Sequence, residues 1–307
     1  MNVTTPIIRD PVSVAIAKNV ITVVLALAII YINGILVHIF RKHQVFHMNP
    51  RYILYIHLVF NDIITLTVTI LLQVLSYISF TLNVSFCAIM NMTGVSSSLN
   101  NPLTLAAMAL ECYLAICFPL RHPQICTVKK AYVVIAVIWF LSSIAVIPDL
   151  FVVLATRPAE FFSSNIFCLW TNIFTIPQLQ QKRDALNILY LVSVWLILFY
   201  CYFRILFTAQ AASANAKKAR NTVLLHSFQL LLCMLSYLYN ITIQGLTNLF
   251  PKDVLVIRYV VSLLIQVMPR LISPMVYGVR DKMFREYLKR YLFFTNTQPK
   301  KMENRPS

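Results

Sequence analysis

The sequence predicts an all-α membrane protein, a seven-transmembrane helix bundle followed by a short amphipathic eighth helix. Three observations lead there. Of 307 residues, 59% are hydrophobic and only 12% are charged, against about 25% charged in a soluble domain; the mean hydropathy is +0.73. Apolar runs recur near 20–40, 53–78, 87–117, 131–155, 185–208, 222–248 and 254–279, each long enough to cross a hydrocarbon core of roughly 30 Å, which takes about 20 helical residues. The net charge of +16 sits mostly in short segments between these runs, the way a membrane protein marks its cytoplasmic side. That placement points the basic residues at membrane lipids and excludes nucleic acid as the expected partner.

Taken in order, residues 1–19 read as an extracellular tail, 20–279 as the bundle and 280–307 as the amphipathic helix and cytoplasmic tail. Arg9, Asp10 and Pro11 interrupt the start before any hydrophobic core, so the first span is expected to be its own insertion signal. With the N-terminus outside, Arg41, Lys42, Arg51, Arg121, Lys129, Lys130, Arg204, Lys217, Lys218 and Arg220 fall inside. Only Arg9, Lys18, Arg157, Lys182, Arg183, Lys252 and Arg258 fall outside. Asn2 and Asn83 head sequons on the outer side, where glycosylation is expected; those at Asn91 and Asn240 lie inside spans. The third span ends in Glu111 and Tyr113, then Pro119 and a loop with Arg121 and His122. An acid at that boundary is a functional candidate by default. The tail helix, 281–294, alternates aromatic and basic residues, as an amphipathic helix on the inner leaflet does.

Several chemistries are excluded. Four glycines leave neither a phosphate loop nor a GxxxG face. The histidines are scattered, His43 and His47 have no acid nearby, and no nucleophile has a base beside it, so neither a metal, a cofactor nor an enzyme activity is expected. Inverted repeats of the transporter kind are absent. Of seven cysteines, Cys87 and Cys168 alone fall on the oxidising side, where a disulfide would pin the second outer loop to the third span; the alternative is two unpaired outer thiols.

The stretch MALECYLAIC, ending the third span, resembles the MAYDRYVAIC signature of odorant receptors within the rhodopsin-like (class A) G-protein-coupled receptors. Residues 201–205 resemble their SYxxI, 218–226 their KAxSTCxSH, and 269–278 their PxLNPxIYG. Asn33 and Asp62 stand at the polar positions of the first two helices. The Asn49-Pro50-Arg51-Tyr52 form, with ECY and PLRH, resembles the fish type. The resemblance spans nearly all of residues 20–290. Departures are specific: Cys112 replaces the arginine of the third-helix triplet, Ser273 an asparagine, Met234 an aromatic and Ser236 a proline.

The resemblance implies the sites. Coupling to a heterotrimeric G protein would involve Glu111, Cys112, Tyr113, Tyr202 and Tyr277. Cys112 lacks the donors of a guanidinium, and Arg121 is the expected replacement cation, lipid phosphate contact being its alternative role. Where relatives hold sodium near Asp62, Arg270 is expected to form a buried ion pair instead, unless it reaches water through the bundle. The ligand cavity would be lined by Gly94, Ser98, Leu99, Asn187, Tyr190, Tyr237, Ile241 and Gln266, for each of which plain packing is the competing role. Lys182 and Arg183 stand near its mouth. The resemblance thus implies an odorant receptor in the plasma membrane, on the cilia of olfactory sensory neurons, that binds a small-molecule odorant and activates a stimulatory G protein. A class A receptor for a lipid or peptide, or a transporter, is the alternative.

Overall fold

A computed structural model describes residues 11–79, 81–211, 242–243, 245–251, 253–272, 285–288 and 291. Asn2, Tyr237, Ile241 and Tyr277, nearly all of the sixth span and most of the tail helix lie outside the described residues.

The first helix runs Val12–Lys42, so its start precedes the apolar window and shortens the expected outer tail. Pro11 is the break. Lys18 lowers the hydropathy of this stretch without interrupting the helix, because it is buried with its ammonium 5.5 Å from the Tyr259 ring. Arg41 and Lys42 fill the last turn, where cations meet the unpaired carbonyls. The second helix, Pro50–Ile78, opens with Pro at its first position and the Asn49 side chain accepting from the Arg51 amide at 3.0 Å. Both are favoured starts.

The third helix, Val84–Cys117, is capped by Asn83, whose side chain accepts from the amides of Ser85 and Phe86 at 3.0 and 3.4 Å. The fourth, Val128–Thr156, is capped by Thr127. The fifth runs Pro177–Ala211. The described part of the seventh comprises Val254–Ser262, a π-helical turn, Leu263–Val267, and the helical residues 268–272 that carry Arg270. Among the described residues, four helices are long and apolar enough to cross a membrane: the first, second, fourth and fifth. The third falls short because its middle carries Ser96, Ser97, Ser98, Asn100 and Asn101. It packs against the second, fourth and fifth helices, so those polar groups face protein rather than lipid, as an intramembrane polar group must.

One end of the bundle is closed by the second loop. Strand β1 (Leu82–Asn83) pairs antiparallel with β2 (Asn165–Ile166), Leu82 opposite Ile166. The Cys87–Cys168 disulfide joins the start of the third helix to this loop across a Cα–Cα distance of 5.7 Å. The Asn91 amide donates to the Cys87 carbonyl at 2.9 Å and lies 3.3 Å from both sulfurs. Asn91 is therefore an internal brace. The largest apolar core lies at the opposite, basic end, built on Leu36, Phe46, Tyr55, Leu58, Leu105 and Met108. Tyr287 and Tyr291 of the tail helix pack there against His43 and His38.

Removing a native disulfide typically costs about 2–5 kcal/mol. Cys87→Ser and Cys168→Ser should each lower surface receptor by flow cytometry, and the double variant should fall no further than either single. Additive losses would mean that the two sulfurs do not act as one bond.

Candidate functional site

At the basic end, Glu111 is only 5% exposed. Its carboxylate accepts from Arg51 Nε at 2.9 Å and Nη2 at 3.4 Å, a two-armed contact, and from His122 Nε2 at 3.0 Å. The geometry follows from the chain path. The second and third helices run antiparallel, so the first turn of one meets the last turns of the other. Asn49 and Pro50 fix where that first turn begins and hence where Arg51 stands. Pro119 ends the third helix, and the short helix His122–Ile125 turns His122 back onto Glu111. The expected replacement cation, Arg121, is exposed in that turn. The cation on Glu111 itself is Arg51, brought there by helix pairing. The same carboxylate, after burial, helps to push the Cys126 thiol above its ordinary pKa.

Beside this cluster, Cys112 is buried in the core. Tyr113 is buried too, with its hydroxyl 3.4 Å from that of Tyr200 and the rings edge to face. Tyr202 stands half-buried against the same core. Two residues along a helix differ by about 200° in direction, so Tyr200 and Tyr202 do not face the third helix together.

In the middle of the bundle, Asp62 is 3% exposed. It accepts from the Asn101 amide at 2.8 Å and lies 3.5 Å from Arg270 Nε. A polar chain continues from there toward the basic end. The Asn100 amide donates to Asn61 at 3.4 Å, Asn61 meets His57 at 3.2 Å, and His57 meets Thr104 at 3.1 Å. Asn33 is fully buried, and its side-chain amide has no hydrogen-bond partner among the described residues.

Under the disulfide-anchored loop, a small cavity opens between the third, fourth and fifth helices. Leu99 and Asn187, two of the residues expected to line the ligand cavity, line this one. Val95, Ala145, Val146, Leu186, Trp170 and Arg183 complete the wall. Gly94 and Ser98 stand away from this cavity. A Cβ on Gly94 would lie 3.3 Å from Val68 Cγ1, so Gly94 faces the second helix and serves as a spacer. Ser98 is half-buried and does not line the cavity, its helix turning that position away. Tyr190 packs beside Leu99, but its hydroxyl donates to the Leu141 carbonyl at 2.9 Å, joining the fifth helix to the fourth. Gln266 lies in the π-helical turn. Lys182 pairs with Asp149, which is 1% exposed. That pair had no signal beyond a lone acid near the end of the fourth apolar run.

Residues 32–277 match the model of the 7 transmembrane receptor (rhodopsin family). The chain belongs to the rhodopsin family of seven-transmembrane receptors. It is 31% identical to odorant receptor 131-2 of Danio rerio, over 90% of this chain and 86% of that one. Olfactory receptor 13C2 of Homo sapiens is 25% identical over 85% of each chain. Olfactory receptor 56A1 of Homo sapiens is 30% identical over 62% of this chain and 61% of its own. As a rhodopsin-family receptor the protein is a multi-pass membrane protein and not an enzyme.

For this rhodopsin-family receptor the mid-bundle pair is open to a direct test. Breaking one half of a buried ion pair costs about 3–5 kcal/mol. Asp62→Asn and Arg270→Met should each reduce surface expression, and the double change should recover part of the loss. Normal expression of both singles would rule out an energetically important pair.

Proposed function

We propose that this receptor is an odorant receptor that binds a small molecule in the helix bundle and activates a stimulatory heterotrimeric G protein, raising cAMP. The observation that carries this reading is the pairing of a small apolar cavity under the second loop with a buried charge cluster at the opposite end of the third helix. The odorant-receptor relatives support the ligand class, and the basic residues at the Glu111 end support a cytoplasmic placement with the N-terminus outside. Expression on the cilia of olfactory neurons and glycosylation at Asn2 and the exposed Asn83 belong to the same reading.

In this proposal the Arg51–Glu111–His122 cluster is the resting lock. It ties the second helix, the third helix and the following loop, and a ligand acts by favouring the bundle state in which the lock is open. Tyr113, which meets Tyr200, and Tyr202 against the same core rearrange around it in this reading, as does Tyr277, which lies outside the described residues. Arg121, exposed in the turn, is free to meet lipid phosphate or the G protein. Arg51→Gln removes the two-armed contact. Because the Arg51 side chain is 30% exposed, the pair is worth about 1 kcal/mol rather than the full buried value.

Arg51→Gln should therefore raise agonist-independent cAMP about fivefold, and Arg51→Lys should restore part of the restraint. Unchanged basal cAMP at equal surface expression would remove the lock from the mechanism. The wider reading is tested by screening amino acids, bile acids, nucleotides and volatiles on receptor-expressing cells. A cAMP response to small molecules is expected, and a response confined to lipids or peptides would overturn the odorant assignment.

A further inference from the structure

We infer that His122 makes the tie at the basic end sensitive to pH: with a proton gained its ring holds the loop after the third helix more tightly to Glu111, and with that proton lost the hold loosens. This rests on the lock reading above and deepens it by naming what regulates the lock. In that reading the ring faces the cytosol, so the regulator is cytosolic pH.

The two oxygens of Glu111 are used differently. Oε2 accepts from Arg51 Nε at 2.9 Å, whereas Oε1 accepts from Arg51 Nη2 at 3.4 Å and from His122 Nε2 at 3.0 Å. The shorter contact on Oε1 is the imidazole's. An ionised carboxylate only accepts, so Nε2 carries a hydrogen here, and the proton that comes and goes is the one on Nδ1. Among the described residues Nδ1 has no hydrogen-bond partner. The side chain is 23% exposed, so water delivers that proton. The hydrogen bond persists in both states, but a charged donor makes such a contact roughly twice as strong as a neutral one.

The charges around the ring set the direction. From the third helix, the buried Glu111 is in direct contact. From the second, Arg51 is a cation already matched by the same carboxylate. At the start of the fourth, the exposed Lys130 donates to the Gln124 carbonyl at 3.1 Å, and Arg121 beside the ring is exposed too; water screens both. At the end of the ring's own short helix Cys126 stays a neutral thiol, because burial and then Glu111 raise its pKa. The nearest and least screened charge is therefore an anion, and a charge gained by the ring strengthens the contact. Histidine is the side chain whose ordinary charge change falls between about pH 5 and 8. The tie is strongest at the acid end of that range and weakens as pH rises.

The test uses the purified full-length receptor in nanodiscs of neutral lipid, taken from about pH 6 to about pH 8. The wild type is compared with His122→Gln, which keeps an amide donor but no titrating charge. The wild type should unfold at a higher temperature than the variant at the acid end, and the gap should close at the alkaline end. Arg51→Gln should retain this pH dependence, and Arg51→Gln with His122→Gln should lose it. A gap that does not change with pH overturns the inference. The same samples are then assayed for nucleotide exchange on a purified stimulatory heterotrimer. The ratio of wild type to His122→Gln at each pH cancels the G protein's own pH dependence. That ratio should rise about threefold across the range, the scale of a part-exposed charged contact. A constant ratio with measurable exchange overturns the pH regulation and leaves the receptor reading standing. A pH-dependent gap in unfolding with no exchange by any of these forms does the reverse.

Discussion

An ionised carboxylate cannot remain inside a bilayer-spanning bundle without a cation brought to it by another part of the chain. Three acids are buried among the described residues, Asp62, Glu111 and Asp149, and each has such a cation. Asp62 draws the second helix to the seventh through Arg270. Glu111 draws the third helix to the second and to the following loop through Arg51 and His122. Asp149 draws the fourth helix to the fifth through Lys182. Apolar packing brings helices together without specifying which turn meets which. These three contacts supply that register at three depths of the bundle.

The third helix depends most on this arrangement. Its polar middle would be costly against lipid, yet Asn100 and Asn101 donate to Asn61 and Asp62 of the second helix. One of its ends is anchored by the disulfide and the Asn83 cap, and the other by Glu111. A helix held at both ends and in the middle transmits a displacement along its length. That is what a receptor needs if a cavity at one end is to influence a surface at the other.

Much of this was legible in the residues, and the limits have physical causes. Hydropathy located the first five spans because lipid contact demands apolar surface, but it began the first one late, since a buried Lys18 looks the same as an exposed one in a sequence. The Cys87–Cys168 pairing followed from which side of the membrane each thiol occupies. Asp62 with Arg270 followed from the rule that an intramembrane arginine needs an acid. Arg51 with Glu111 did not, because sixty residues separate them and the contact depends on how two antiparallel helix ends align. For Gly94 the place on the third helix was clear, but the direction facing Val68 of the second helix was not.

The position of the cation also changes what opening the bundle requires. An arginine at position 112 would stand next to its acid on one helix, able both to hold Glu111 and to meet a G protein when released. In this receptor the holding group is on the second helix and position 112 is a buried thiol. Restraint and contact are therefore assigned to different residues. Opening must separate the starts and ends of two helices, or turn the third helix so that Glu111 leaves Arg51, and neither motion delivers a guanidinium from the third helix. Under the proposed lock, the G-protein surface would be completed by other side chains, Arg121 of the loop and the tyrosines of the fifth helix being the proposed ones. Because the Arg51 side of the proposed lock is part-exposed, it would be a weaker restraint than a fully buried pair, and the proposed mechanism therefore sets the resting receptor closer to its active state.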